Sequence, residues 1–305
     1  MAVRILVTDS LMQFAEDQLV AEGYELVRRK CTPEEVGTVM RDFDGAIVRS
    51  QTKIRKPQID AAKNSRLQVI IRGGVGTDNI DSEYAEACGI KVRNTPLASS
   101  NSVAELAVGL LFSCARNICL CSWCFKNGSW EKKNLAMGFE LEGKTAGIIG
   151  YGRIGGMISH KVQALGMKVL SFVHRHKPEG EECETMHFVS EEETYAKSDV
   201  LFLCAPGGGE PIINRESLAK MKDGVVIINI SRGTNIDEDA LLEALNSGKV
   251  GAAGLDVWAD EKNPNYELAK HPRVSPTTHL GASTAEAQVR IGNEIVQRVH
   301  ENLPL

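Results

Sequence analysis

The chain has 305 residues, of which 43% are hydrophobic and 25% charged, with a formal net charge of −5 at pH 7. That is the composition of an ordinary globular chain, longer than one hydrophobic core usually holds, so two domains are expected. The mild acidity without long like-charge blocks argues against nucleic acid or anionic membrane as partners. The absence of any apolar run of about 18 residues, and of a signal pattern after Met1, leads to an expected cytoplasmic location.

Apolar strand-like runs alternate with helical patterns from the start: a strand at Arg4–Val7, a helix over 11–22, a strand at 46–48, a helix over 57–63, a strand at 67–71, a helix over 81–88 and a strand at 90–92. Repeated β-α-β spacing implies a parallel sheet wrapped by helices. The stretch Asn94-Thr-Pro-Leu-Ala-Ser-Ser-Asn101 reads as a crossover, and Ser102-Val-Ala-Glu105 as a capping box opening one long helix to about Cys124. That helix is apolar on several faces, which predicts burial between domains or subunits. It carries Cys114, Cys119, Cys121 and Cys124; Cys121-x-x-Cys124 has no second pair and no suitably spaced His pair, so the thiols read as small buried hydrophobes and no metal site is expected.

The second half of the chain is organised around Lys144-Thr-Ala-Gly-Ile-Ile-Gly150-Tyr-Gly152-Arg-Ile-Gly155. An apolar run ends in glycines at the G-x-G-x-x-G spacing, and a helical pattern continues through Met157, Ile158, Val162 and Leu165. Strand, tight turn and helix N-terminus together make a pyrophosphate site, so a dinucleotide is expected. Further strands are predicted near 168–173, 200–204, 225–230 and 250–255, completing a second doubly wound sheet. Ser283-Thr-Ala-Glu286 reads as a capping box for a last helix running toward His300, with Ala287, Ile291, Ile295 and Val299 as packing positions. This helix is too short for a domain of its own and is expected to return to the first one.

Ligands of doubly wound folds sit outside the carboxyl ends of strands. Arg232, Asp256, Glu261 and His279 stand at or near such ends. A guanidinium suits a substrate carboxylate, an imidazole can shuttle a proton, and a nearby carboxylate would orient the ring and raise its pKa, a set fitted to carbonyl reduction. Taken singly, each residue also fits a surface ion pair or a cap.

Several motifs in one order carry a resemblance: Ala46-Ile-Val-Arg49-Ser, Gly89-Ile-Lys-Val-Arg-Asn-Thr-Pro96, Gly150-Tyr-Gly-Arg-Ile-Gly155, Asn229-Ile-Ser-Arg232-Gly, Gly254-Leu-Asp-Val257 and His279-Leu-Gly-Ala-Ser-Thr284. Over nearly its whole length the chain resembles the D-isomer-specific 2-hydroxyacid dehydrogenases, most nearly those acting on 3-phospho-D-glycerate. The resemblance implies an α/β fold of two doubly wound, Rossmann-like parallel-sheet domains. A dinucleotide domain, 96–284, is inserted into a smaller substrate domain, 1–95 plus 285–305, with the active site in the cleft between them. It implies a homodimer with the helix after Asn101 at the interface. It assigns catalysis to Arg232, Glu261 and His279, and substrate binding to Arg49, Arg72, Gly74, Val75, Gly76 and Arg232. A nicotinamide cofactor would run over Val75, Gly150, Gly152, Arg153, Ile154, Gly155, Val173, His174, Arg175, Ala205, Pro206, Ile230, Ser231, Arg232, Asp256, His279, Gly281 and Ala282.

Four departures accompany the resemblance. Where an NAD site expects an acid about 20 residues past the first glycine, Val173 stands before His174-Arg-His-Lys177, so the cofactor is NAD or NADP. The loop Cys204–Glu210 is shorter than the family's, Glu261 is followed by Lys-Asn rather than Pro, and Thr278 replaces a usual Pro. The chain ends at Leu305, so serine feedback through a C-terminal module is not expected. The expected activity is the interconversion of 3-phospho-D-glycerate and 3-phosphohydroxypyruvate, the entry step to serine. A hydroxypyruvate or glyoxylate reductase is the enzyme alternative, and a dinucleotide-sensing corepressor-like binding protein the alternative of another class.

Overall fold

The computed structural model describes residues 2–130, 137–174 and 177–305. Among these the strands form two parallel sheets, and the chain divides into two compact units: Met1–Ser99 with Ala282–Leu305, and Ser100–Gly281.

The first segment runs β1 (Arg4–Val7), α1 (Gln13–Glu22), β2 (Glu25–Arg28), α2 (Val36–Met40), β3 (Gly45–Val48), α3 (Lys56–Ala62), β4 (Val69–Arg72), α4 (Ser82–Ala87) and β5 (Lys91–Asn94). Its five-stranded sheet has the order β2-β1-β3-β4-β5. Successive side chains of a strand face opposite sides, so a sheet covered on both faces needs strands apolar throughout. Ile5, Val7, Ile47 and Ile71 accordingly enter one core, and Leu6, Ala46, Val48 and Ile70 the other.

The second unit runs α5 (Ser100–Ala115), α6 (Ile118–Lys126), β6 (Thr145–Ile149), α7 (Arg153–Gln163), β7 (Lys168–Phe172), β8 (Met186–Phe188), α8 (Glu191–Lys197), β9 (Val200–Leu203), α9 (Arg215–Lys220), β10 (Val225–Asn229), α10 (Glu238–Ser247), β11 (Val250–Leu255), α11 (Tyr266–Ala269) and β12 (Val274–Pro276). The seven strands lie in the order β12-β11-β10-β9-β6-β7-β8. The order reverses direction between β6 and β9, which is where such sheets open a ligand crevice. The last helix, α12 (Ala285–Asn302), belongs to the first unit, where Ala287, Ile291, Ile295 and Val299 are buried and the last three join the core on β1 and β4.

The two doubly wound parallel sheets are those expected from the βα alternation. Several local expectations need correction. The helix predicted from Ser102 to about Cys124 starts earlier, at Ser100, and breaks into two segments bent by 67°. Asn117 adopts φ 53° at the break, a left-handed conformation that Asn tolerates better than most residues. Ser102 is no cap: it lies inside α5, and its hydroxyl donates to the Gly281 carbonyl. The N-cap of α12 is Thr284, one residue after the predicted cap, accepting from Ala287 N at 3.1 Å. Of the four clustered cysteines Cys114 and Cys124 are buried, but Cys119 and Cys121 are exposed on α6. Met157 is likewise exposed, and Leu165 lies beyond the end of α7. No single described helix is long and apolar enough to cross a membrane.

Candidate active site

The glycine turn leaves β6 at the sheet's reversal point. Gly150 has φ 97°, and a Cβ there would sit 2.7 Å from the Ala205 amide nitrogen, so only glycine lets the β6 turn pass the end of β9 this closely. A Cβ on Gly155 would collide with the Gly150 carbonyl, whereas one on Gly152 would meet nothing within 4 Å. No side chain caps α7, whose N-cap is Gly152. Open space beside Gly152, uncapped amides and the positive end of an 11-residue helix fit a dinucleotide's pyrophosphate. Arg153 and Ile154 open that helix, and Ala205 and Pro206 come after β9 on the far side of the crevice.

At the end of β7, Val173 is half-buried against the core and His174 is exposed, its ring edge-on to Phe172 at 4.7 Å. Arg175 lies outside the described residues. A contact the sequence did not disclose ties the 177–185 loop to the glycine turn: the Tyr151 hydroxyl donates to Glu181 Oε2 at 2.9 Å. A tyrosine between two glycines was the available signal, but its partner lies 30 residues on.

The turn after β10 is held from within. Asn229 Oδ1 accepts from Ser231 N at 3.1 Å and Oγ at 2.9 Å, while Asn229 Nδ2 donates to the Arg232 carbonyl at 2.9 Å. Asn235 Nδ2 bridges Ser231 Oγ and the Ala205 carbonyl at 2.9 and 3.0 Å. Asn229, Ile230, Ser231 and Asn235 are all buried. A Cβ on the next residue, Gly233, would fall on the Trp258 carbonyl, so a bare glycine lets the Arg232 turn lie against the segment leading to Glu261.

Asp256, 1% exposed, organises the loop carrying His279. Its Oδ1 accepts from Thr277 Oγ1 and Leu280 N, both at 2.7 Å, its Oδ2 accepts from Gly281 N at 3.0 Å, and its carbonyl accepts from His279 N at 2.7 Å. These bonds hold His279 at φ 58°, a left-handed conformation uncommon for a non-glycine residue. Asp256 therefore directs its carboxylate into the protein's own loop. His279 Nδ1 meets Glu261 Oε1 at 2.6 Å across 18 residues of sequence. With Glu261 ionised, that hydrogen bond places a proton on Nδ1 and leaves Nε2 as the ring nitrogen for exchange. The Glu261 contact raises the pKa of His279 above the usual imidazole value, against an opposing contribution from burial. Reciprocally, the His279 contact holds Glu261 below the ordinary carboxylate range, with Arg232 adding to the effect.

In the first unit a cavity of 560 Å3 opens at the ends of β1 and β3, lined by Asp9, Ser10, Arg49, Thr284 and Gln288 among others. Arg49 is half-buried there, with Nη1 donating to Gln288 Oε1 at 2.7 Å. Arg72 does not line this cavity. Its guanidinium folds back over the α-carbon of Gly74, and the carbonyls of Gly74 and Val75 accept from Thr95 N and Asn94 Nδ2. Gly76 lies in the same loop, and the Ala282 carbonyl accepts from Gln288 Nε2 at 2.8 Å.

Residues 108–281 match the family model for the D-isomer specific 2-hydroxyacid dehydrogenase, NAD binding domain. The chain is 43% identical to a hydroxypyruvate reductase of Thermotoga maritima, with 98% of each chain covered. It is 39% identical to a D-3-phosphoglycerate dehydrogenase of Archaeoglobus fulgidus over 97% of its own length, and spans 56% of that relative. A glyoxylate reductase crystal structure from Paecilomyes thermophila superposes with a TM-score of 0.90 at 29% identity, covering 98% of this chain and 95% of the other.

Proposed function

The chain belongs to the D-isomer-specific 2-hydroxyacid dehydrogenases, oxidoreductases that act on small 2-hydroxy acids with a nicotinamide dinucleotide, and on that premise we propose that it interconverts 3-phospho-D-glycerate and 3-phosphohydroxypyruvate. The observation that carries this reading is Arg49: a half-buried guanidinium that faces a cavity and is met there by a neutral amide. Such a cation suits the phosphate of a three-carbon acid.

In the reduction direction Arg232 binds the substrate carboxylate and polarises the adjacent carbonyl, and the His279 imidazolium gives its Nε2 proton to the carbonyl oxygen. Glu261 holds Nδ1, fixing the ring and favouring the charged form needed for donation. A nicotinamide, when bound, would supply the hydride for C2. In oxidation neutral His279 takes the hydroxyl proton instead. Gly152, Arg153 and Ile154 serve the pyrophosphate. Asp256 acts by positioning the 277–281 loop, since both its oxygens already accept protein donors. Without an acid at Val173 the ribose 2′ position lacks its specific acceptor, so the site takes NADP(H) as well as NAD(H). Pairing with a second copy through the α5–α6 region is part of the same proposal, supported by the exposed Ile118, Trp123, Phe125 and Trp130 there.

A hydroxypyruvate or glyoxylate reductase is the second reading. It is favoured by the 43% identical relative that spans both chains and by Arg72 turning onto Gly74 instead of into the cavity. The deciding experiment compares kcat/KM for 3-phosphohydroxypyruvate, hydroxypyruvate and glyoxylate, each with NADH and NADPH. Preference for the phosphorylated acid is expected. Preference for the unphosphorylated acids selects the reductase, and dinucleotide binding without turnover on any pair selects a binding protein.

A further inference from the structure

Gln288 uses both ends of its amide. Oε1 accepts from Arg49 Nη1 at 2.7 Å, and Nε2 donates to the Ala282 carbonyl at 2.8 Å, so the second bond dictates which end meets the guanidinium. The carboxylate beside them, Asp9, accepts the backbone amides of Arg49 and Thr52 on its Oδ2, at 2.5 and 3.3 Å. Among the described residues no carboxylate comes within ion-pair distance of the Arg49 guanidinium, although the nearby Asp9 charge acts on it electrostatically. The cavity wall adds the hydroxyl-bearing Ser10 and Ser50 and the N-terminus of the 18-residue α12. A carboxylate at position 288 would neutralise Arg49, and an apolar side chain would leave it unaimed. A neutral amide aims the cation and leaves its charge for a ligand.

We propose that Gln288 is a positioning residue that makes this cavity selective for the anionic far end of the substrate, an inference that rests on the phosphorylated-substrate reading. The chemical class it admits is a short 2-oxo or 2-hydroxy acid with a second anionic group. Gln288 touches Arg49 and does not itself take part in proton or hydride transfer.

The test is KM and kcat for 3-phosphohydroxypyruvate and hydroxypyruvate in the wild type, Gln288→Glu and Gln288→Met, with thermal midpoints recorded alongside. Gln288→Glu is expected to raise KM for the phosphorylated acid about tenfold or more, while KM for hydroxypyruvate and both kcat values stay within about twofold. Gln288→Met, which loses the aim but not the charge, is expected to fall between the two. Equal losses on both acids, or no loss on either, would show a merely structural glutamine and overturn the assignment. A wild type that does not prefer the phosphorylated acid overturns the substrate reading and this assignment with it. A wild type that prefers it, with the preference intact in Gln288→Glu, overturns this assignment alone.

Discussion

Arg232 and Arg49 each come just after the carboxyl end of a parallel strand, β10 and β3, and they are held very differently. Beneath Arg232 lie buried Asn229, Ser231 and Asn235, and the neighbouring loop is drawn in by buried Asp256. The Arg49 backbone is also tied down, its amide by Asp9 and its carbonyl by Asn79, but among the described residues its guanidinium makes one hydrogen bond, to the amide of Gln288. Groups that stabilise developing charge gain from being fixed before the reaction starts, because no reorganisation is then needed. A group that recognises the far end of a substrate needs only the right charge in roughly the right place. The first arrangement resists substitution. The second is easy to retune, which fits a family whose members differ in the acid they use.

Substitutions can break this contrast at graded points. His279→Ala should lower kcat for reduction about 10²–10⁴-fold, with cofactor affinity measured by fluorescence titration within about twofold. Unchanged turnover would remove His279 from the proton path. Gly233→Ala should lower kcat about 100-fold by pushing the Arg232 turn off Trp258, whereas Gly209→Ala, in open space, should change neither kcat nor thermal midpoint. Asp256→Asn keeps one acceptor oxygen but sets an NH2 donor against a backbone amide that needs an acceptor. It should cost about 1–3 kcal/mol in denaturant unfolding and lower kcat about tenfold, and wild-type stability would contradict the role given to its carboxylate. The smallest effect is expected at the adenosine end, where Val173→Asp should move the NADH-to-NADPH ratio of kcat/KM toward NADH by about tenfold at little cost to turnover. A fixed ratio would mean that this position does not read the ribose.

Local sterics and periodicity made part of the fold legible in the residues alone. The glycine spacing reports a turn, and the βα alternation reports parallel sheets, so both were visible residue by residue. The strands that escaped, β2, β8 and β12, are all sheet edges, where one flank is unpaired and the run of apolar residues is short; β2 has only exposed and half-buried positions, with no alternation to read. The break at Asn117 escaped because apolar residues continue on both sides of it. Glu261 and His279 could be singled out by their places after strands, but their 2.6 Å contact depends on the loop that Asp256 folds. The Asn229–Ser231–Asn235 network and the Arg49–Gln288 bond join residues whose partners only the fold selects; the latter spans 239 positions.

The central claim is that Glu261 sets the charge of the proton-transferring His279, and the pH dependence of kcat/KM in both directions, for wild type and Glu261→Gln, tests it most directly. The imidazolium donates in reduction, so that rate should fall as pH rises through the raised His279 pKa; oxidation needs the neutral ring and should fall as pH drops through the same value. Glutamine can keep the hydrogen bond to Nδ1 but not the charge, so both limbs should move to lower pH, toward the ordinary imidazole value of about 6.5. Limbs that stay where the wild type has them would contradict the account.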